Sequence, residues 1–522
     1  MILEFESGII PEHLFRDLGF ESYLALFKQE IPILPRSILQ PLGEKEARAH
    51  FKALAELDAF AASGELELSA LLQHTANLPN LESLLPFLQD GTLEAFHLFE
   101  LGRYLQENWT IQQLEKASPL PCRENPCQKM LSILSKQTAD DFSRLKLSSA
   151  EKSLQKSLNN LSDQLSRELL AYEQTIFLKT GIKLIYPYPR EISKDHENLD
   201  KILQCNLLNL IEQGDFYRTE YKLNAAVKNL LREQEKRQLD WQGLIAEKLK
   251  GINNTLTPFY KDLSAYYQLR KNRAYQYLLL SAKKAGGLTL PELTLVPRIN
   301  MNQGILPELK KHAGIHYSPL DLSLEAGVNV LFGANMTGKT TVLKTLYFHL
   351  ILVKFGLPVP AGALSTMFPR DVGLHLRSSG KTGSGLSGFG EEIRFFCEMS
   401  PSTAVYLVDE LFHSTDPING VALTEAFLKG LPAKDSIFIC TSHYPEVLSI
   451  PGICLFKMKD IGEIPEQPDL NALLKRVPYQ VEPLSPGAEK KQAVVSSAPL
   501  QIALRFPLPG TILKNLLEKL ER

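Results

Sequence analysis

Leu154, Leu158, Leu161, Leu165 and Leu169 recur every three or four residues along an otherwise polar stretch. That spacing predicts a long amphipathic helix. Leu223, Val227, Leu230 and Leu231, followed by Leu244, Ile245 and Leu249, predict a second. Residues 1–285 as a whole are rich in Leu, Lys, Glu and Gln and poor in Val, a composition that favours helix. Two arrangements fit the pattern: a packed helical bundle, or a pair of long lever helices that carry motion. The heptads are not sustained, which favours the bundle. Tyr186-Pro187-Tyr188-Pro189 and Gly251-Ile252-Asn253-Asn254 read as loops joining helices.

The character changes at Gly286-Gly287. Residues 286–312, with their prolines, read as a linker. From 313 to 458, short apolar runs alternate with Gly-rich loops, as strands and helices do in an α/β domain. Residues 459–522 contain many prolines and close on a short amphipathic helix over Pro509 to Leu520. The expected fold class is therefore α + α/β, a helical core or lever region followed by an α/β domain and a helical tail.

Length and charge refine this only slightly. The 522 residues suggest about three domains. The chain has 57 basic and 59 acidic residues, so its net charge of −2 gives no global attraction to nucleic acid or an anionic membrane. Cys440 and Cys454 lie in apolar runs and read as reduced core residues. Cys122 and Cys127 share a Pro-rich stretch as a disulfide or, better in keeping with the rest, as two free thiols. The acidic start Met1-Ile2-Leu3-Glu4-Phe5-Glu6 lacks the features of a signal peptide, and no apolar run is long enough to span a bilayer. A cytoplasmic protein with no membrane partner is expected.

The chemistry concentrates in the α/β part. Gly333-Ala334-Asn335-Met336-Thr337-Gly338-Lys339-Thr340 fits G-x-x-x-x-G-K-[ST], between a strand candidate (Val328 to Phe332) and a helix candidate (Thr341 to Leu352). That context makes it a phosphate-binding P-loop, or Walker A motif, rather than a plain Gly-rich turn. Backbone N–H groups and the helix N-terminus face the phosphates, Lys339 reaches the β- and γ-phosphates, and Thr340 binds Mg²⁺. The apolar run Ala404 to Val408 ends in Asp409-Glu410, as a Walker B element does. Asp409 would hold the metal through water, and Glu410 would position and deprotonate the attacking water. His443 follows the buried-strand candidate Ile437 to Cys440 and reads as a γ-phosphate sensor or as an ordinary loop histidine. The Gly- and Ser-rich loop Ser378 to Gly390 reads as a surface loop or as a second phosphate-binding loop.

In order, spacing and wording these elements resemble the MutS family. Asn335 and Met336 match that family's G-P-N-M-G-G-K-S-T loop. Gly356-Leu357-Pro358-Val359-Pro360-Ala361 resembles its G-x-x-V-P-A turn, and Leu386-Ser387-Gly388-Phe389-Gly390-Glu391 its S-T-F-x-x-E signature loop. Asp409-Glu410 through Thr415 to Gly420 resembles D-E-x-x-x-x-T-x-x-x-x-G, and Thr441-Ser442-His443-Tyr444 its T-H-Y switch. The likeness covers residues 313 to 450, with a weaker echo from Ala503 to Leu517. It implies an ABC-like ATPase that works as a homodimer with ATP and Mg²⁺. Thr341 joins the nucleotide loop, Tyr317 stacks on adenine, and Ser387 with Gly388 faces the nucleotide of the other protomer. The sequence departs from the family at Thr337 (for Gly), Gly388 (for Thr) and Phe412-His413-Ser414 (for G-R-G), and the mismatch-reading Phe-x-Glu wedge finds no counterpart.

Three functions follow. The first is an ATP-driven dimeric clamp acting on DNA without reading mismatches. The second is an ATPase that remodels a protein client, such as an adenosylcobalamin-dependent aminomutase, which the Asp416-Pro417 and Gly420 wording resembles. The third is a non-hydrolysing ATP switch, against which Glu410 argues. The basic residues between Lys222 and Lys250 alternate with acids and read as a solvated helix face rather than a DNA-binding stripe.

Overall fold

The computed structural model describes residues 4–5, 10–28, 31–34, 38–118, 120–121, 125–311, 318–333, 337–376, 388–399, 403–431, 435–459 and 479–484. It is a mixed helix-and-sheet fold that divides into two compact units not contiguous in sequence. The smaller comprises Leu78–Trp109 and Cys122–Gln268, and the larger Met1–Asn77, Thr110–Pro121 and Leu269–Arg522.

The smaller unit is dominated by two 32-residue helices, each about 48 Å long at 1.5 Å per residue. They are the helices that the leucine spacing predicts. Helix α1 (Ser149–Thr180) starts in a capping box. Ser148 Oγ accepts from the Glu151 N–H, and Glu151 Oε2 accepts from the Ser148 N–H. It ends at Gly181, whose φ of 76° is the left-handed stop that glycine favours. Along it Leu161 and Leu165 are buried, while Leu154, Leu158 and Leu169 are half-buried. Between α1 and the second long helix lies a three-stranded antiparallel sheet of β1 (Glu191–Ser193), β2 (Leu208–Gln213) and β3 (Phe216–Tyr221), with β3 central. Composition had pointed only to helix here. Ile176, Ile182, Leu184, Ile192, Ile202, Cys205 and Leu208 form a small core of its own. Helix α2 (Ala225–Leu256) runs antiparallel to α1, and Lys248 near its end pairs with Glu151 at the start of α1 at 2.8 Å.

Gly251 to Asn254, expected as a loop, is instead helical and continuous with α2. Tertiary bonding overrides the local breaker signal. The buried Asn253 side chain accepts from the Leu93 N–H and donates to the Leu93 carbonyl, both at 3.0 Å.

Helix α3 (Tyr260–Gly286) belongs to the larger unit from Leu269 on, and there it carries Arg270, which is fully buried and paired with Glu115 at 2.6 Å. Tyr277 also donates to Glu115. The segment expected as a linker holds two strands, β4 (Glu292–Thr294) and β5 (Arg298–Gly304). With β6 (Leu320–Glu325) and a strand farther on they build a four-stranded sheet. The six-stranded sheet starts with β7 (Gly327–Phe332), which leads to helix α4 (Lys339–Lys354). After α4 the strands and α-helices are β8 (Ala363–Met367), β9 (Asp371–His375), α5 (Gly388–Cys397), β10 (Ala404–Val408), α6 (Pro417–Gly430), β11 (Ile437–Ser442), β12 (Cys454–Met458) and β13 (Val481–Pro483) among the described residues. The strand order is β4-β8-β5-β6 in the smaller sheet and β9-β10-β11-β7-β12-β13 in the larger. All strands of the larger sheet are parallel except β13. Strands β7, β10 and β11 are buried at every position, as parallel strands covered on both faces should be. Near the N-terminus, Phe20 and Tyr23 pack on Phe348 of α4, and the Tyr23 hydroxyl donates to the Pro358 carbonyl at 2.6 Å.

Cys127, Cys205, Cys397, Cys440 and Cys454 are free thiols, with Cys440 buried and Cys454 half-buried. Cys122 and the closing segment Pro509 to Leu520 lie outside the described residues. Among the described residues, no helix is long and apolar enough to cross a membrane.

Candidate functional site

Because β11 lies between β7 and β10, the C-terminal ends of three neighbouring parallel strands gather segments far apart in sequence. That edge is where open α/β sheets bind ligands. Strand β7 ends at Phe332 and is followed by Gly333. A Cβ on Gly333 would stand 2.8 Å from Met458 Cγ and 2.9 Å from Thr337 Oγ1, so the position admits only glycine without a shift. Gly338, with φ of 96°, turns the chain into α4. Thr337 is buried. Lys339, also buried, donates from Nζ to the Gly333 carbonyl at 2.6 Å. Burial holds the ammonium below its ordinary pKa, and the carboxylates of Glu410 and Asp409 oppose that shift. Thr341 lies in the first turn of α4, and its carbonyl accepts from Thr345 Oγ1 at 2.8 Å.

The centre of the site is a chain of hydrogen bonds. Thr340 Oγ1 donates to Asp409 Oδ2 at 2.7 Å, and Thr441 Oγ1 donates to Asp409 Oδ1 at 2.8 Å. The Thr441 hydroxyl in turn accepts from the Glu410 N–H at 2.7 Å. Both oxygens of the buried Asp409 are thus oriented, one from the start of α4 and one from the end of β11. The Thr340 hydroxyl and the Asp409 carboxylate are hard oxygen donors. Their 2.7 Å separation is near the edge of an Mg²⁺ octahedron, about 3.0 Å for bonds near 2.1 Å. These residues therefore fit Mg²⁺.

Glu410 and Phe412 both have left-handed backbones, φ 54° and 53°. For non-glycine residues this conformation is uncommon and clusters at functional sites. His413 Nε2 lies 3.9 Å from Glu410 Oε2, and its ring meets that of His443 edge-on at 5.2 Å. His443 itself is exposed and 4.8 Å from the Tyr444 ring. Gly388 opens α5, and a Cβ there would come within 3.1 Å of Ser414 Oγ, which leaves little room for a larger residue. Glu392, one turn further on, is buried and accepts from the Phe412 N–H at 2.6 Å. Burial pushes its carboxyl up to about 7 against the pull of that hydrogen bond.

The fold thus brings together Gly333, Thr337, Gly338, Lys339, Thr340, Thr341, Asp409 and Glu410, with His443 beside His413 at the rim. Ala334, Asn335, Met336, Tyr317 and Ser387 lie outside the described residues. Sequence reasoning gave no role to Thr441, Glu392 or His413. Thr441 and His413 stood inside motifs quoted for other members and Glu392 just beyond one, and only the strand order and the packing of α5 reveal what they touch.

An open parallel sheet with a lysine, a threonine and two acids at its C-terminal edge puts the larger unit in the α/β class whose site is assembled from loops. No protein-family model matches the chain. Several similar curated proteins are named Endonuclease MutS2. That of Lactococcus lactis subsp. lactis is 29% identical over 246 residues, 46% of this chain and 29% of its own length. That of Lactiplantibacillus plantarum is 34% identical over 219 residues, 40% and 27%. That of Thermotoga neapolitana is 22% identical over 481 residues, 85% and 57%. The present chain is related to the MutS family. It spans between about a quarter and 57% of the length of these relatives.

Proposed function

We propose that this chain is a Mg²⁺-dependent ATP hydrolase of MutS-like type that acts on DNA. The observation that carries the reading is the bonded set Thr340–Asp409–Thr441–Glu410 beside buried Lys339. Lys339 exchanges the Gly333 carbonyl for the β- and γ-phosphates, and the charge it gains there offsets the burial that disfavours it. Thr340 and Asp409 hold the metal, which when bound neutralises charge on the phosphates. Glu410 orients the attacking water and accepts its proton, and His443 senses the γ-phosphate from the end of β11. Tyr317 stacks on the adenine. Ala334, Asn335 and Met336 complete the loop around the phosphates. Ser387 and Gly388 face the nucleotide of a second copy, so that ATP closes a homodimeric clamp and hydrolysis reopens it.

The DNA role rests on relatives named as MutS2 endonucleases, since net charge near zero supplies no independent support. The test is ATP turnover by the full chain, alone and with duplex, branched or single-stranded DNA at two salt concentrations, with Lys339→Ala as control. Salt-sensitive stimulation by one DNA form is expected, because phosphate contacts weaken steeply with salt. Lys339-dependent turnover indifferent to every DNA would replace DNA by a protein client. Turnover that survives Lys339→Ala would overturn the assignment of the site.

A further inference from the structure

Each backbone N–H from Asp409 to His413 has a partner. Asp409 donates to the His375 carbonyl at 2.9 Å, Glu410 to Thr441 Oγ1 at 2.7 Å, Leu411 to the Thr441 carbonyl at 3.3 Å, and His413 to the Glu410 carbonyl at 3.1 Å. Those four partners belong to β9, β11 or the turn itself. The fifth differs, because the Phe412 N–H is held by the Glu392 side chain of α5, the helix that follows the Gly-rich loop. The Phe389 and Phe396 rings of the same helix lie tilted against the Phe412 ring, at 6.5 and 5.3 Å. From the other side Gly420 of α6 comes so close that a Cβ there would lie 3.0 Å from the Phe412 carbonyl oxygen. Phe412 is thus clamped by two helices while its own backbone and that of Glu410 are left-handed. Such conformations persist only where the surroundings over-determine them.

We propose that Glu392 is a positioning residue for ATP hydrolysis: from α5 it fixes the Phe412 amide, and through it the strained turn that aims Glu410 at the nucleotide. The proposal rests on the reading of Glu410 as the hydrolytic base. Glu392 touches neither Thr340 nor Asp409 in any bond described above, so its effect falls on turnover rather than on nucleotide binding. Removing the carboxyl leaves a buried N–H unpaired and frees the turn to relax. A glutamine keeps the acceptor and the shape, and it matches the neutral carboxyl that burial favours.

The test compares wild type, Glu392→Gln, Glu392→Ala and Glu410→Gln in the full chain, reading kcat, ATP dissociation constant and hydrogen exchange of the 409–413 amides. Glu392→Gln is expected to stay within about threefold of wild type. Glu392→Ala should lower kcat at least about tenfold, leave ATP affinity within about threefold, and speed exchange across the turn. Wild-type kcat in Glu392→Ala would overturn the proposal, as would equal losses of binding and turnover, which mark a role in folding alone. Wild-type turnover matched by Glu410→Gln would instead overturn the reading of the base, and this proposal with it.

Discussion

The hydroxyl of Thr340 donates a 2.7 Å hydrogen bond to Oδ2 of Asp409, 69 positions further along the chain. That bond ties the first turn of α4 to the end of β10, two strands away across β11. Asp409→Ala should therefore lower Mg²⁺-supported turnover by about 100-fold or more, the scale expected when a charge-stabilising group is lost. Nucleotide affinity measured in chelator should hardly change. Equal affinity losses with and without Mg²⁺ would remove Asp409 from the metal site.

Lys339 is buried and its charge is disfavoured where it sits. Lys339→Ala should weaken ATP binding at least about tenfold, since a charge-assisted bond contributes about 1.5–3 kcal/mol. The melting temperature without nucleotide should not fall, because burial of the ammonium outweighs the pull of Glu410 and Asp409 on its charge. Calorimetric titration and a melting curve on the same sample read both.

Glu410 has a left-handed backbone that glycine adopts without strain. Glu410→Gly should stabilise the fold by up to about 1 kcal/mol and abolish turnover, whereas Glu410→Gln should abolish turnover alone. A glycine variant less stable than wild type in urea unfolding would mean that the Glu410 side chain contributes more to folding than its backbone costs.

Glu392 gives a pH dependence with a definite sign. Its carboxyl is raised from 4.5 to about 7 in the folded chain, so the folded state holds the proton more tightly than the unfolded state does. Its contribution is fully present below pH 4.5 and is lost as pH rises through 7. Between those limits the group lowers stability by up to about 1.4 kcal/mol per pH unit. Urea unfolding at pH 5, 6, 7 and 8 should show that slope removed in Glu392→Gln, and an unchanged slope would count against the burial effect.

Arg270 and Glu115 form a fully buried pair, with Tyr277 also donating to Glu115. Arg270→Met should cost about 3–5 kcal/mol, because it leaves a buried carboxylate without its counter-ion. The double variant Arg270→Met with Glu115→Leu should recover most of that loss. Additive losses in urea unfolding would show that the two residues act independently.

The buried strands were legible because parallel strands covered on both faces are continuous apolar runs, as Val328 to Phe332, Ala404 to Val408 and Ile437 to Cys440 are. The two long helices were legible from leucine spacing. Strands β4 and β5 were hidden by Pro291 and Pro297, which punctuate short strands as readily as they do a linker. Strands β2 and β3 carry Glu212, Arg218 and Glu220 and are mostly exposed, so no apolar run marked them. In the site, Asp409 and Glu410 stood out as a pair of acids after a strand. Thr441 and Glu392 did not, since their partners depend on β11 lying between β7 and β10 and on where α5 packs.

The larger unit begins with Met1–Asn77 but takes up the chain continuously only from Leu269. Tyr23 meets its acceptor, the Pro358 carbonyl, 335 positions later. During synthesis at about 5–20 residues per second, that interval lasts roughly 17–67 s. Phe20, Tyr23 and Phe27, all buried in the finished fold, emerge from the ribosome long before the helix that covers the first two of them. The smaller unit, with all its residues before 269, can close in the meantime. The stretch around Phe20 and Tyr23 thus waits for partners made much later, and for that interval it is a natural client for a chaperone that shields aromatic side chains.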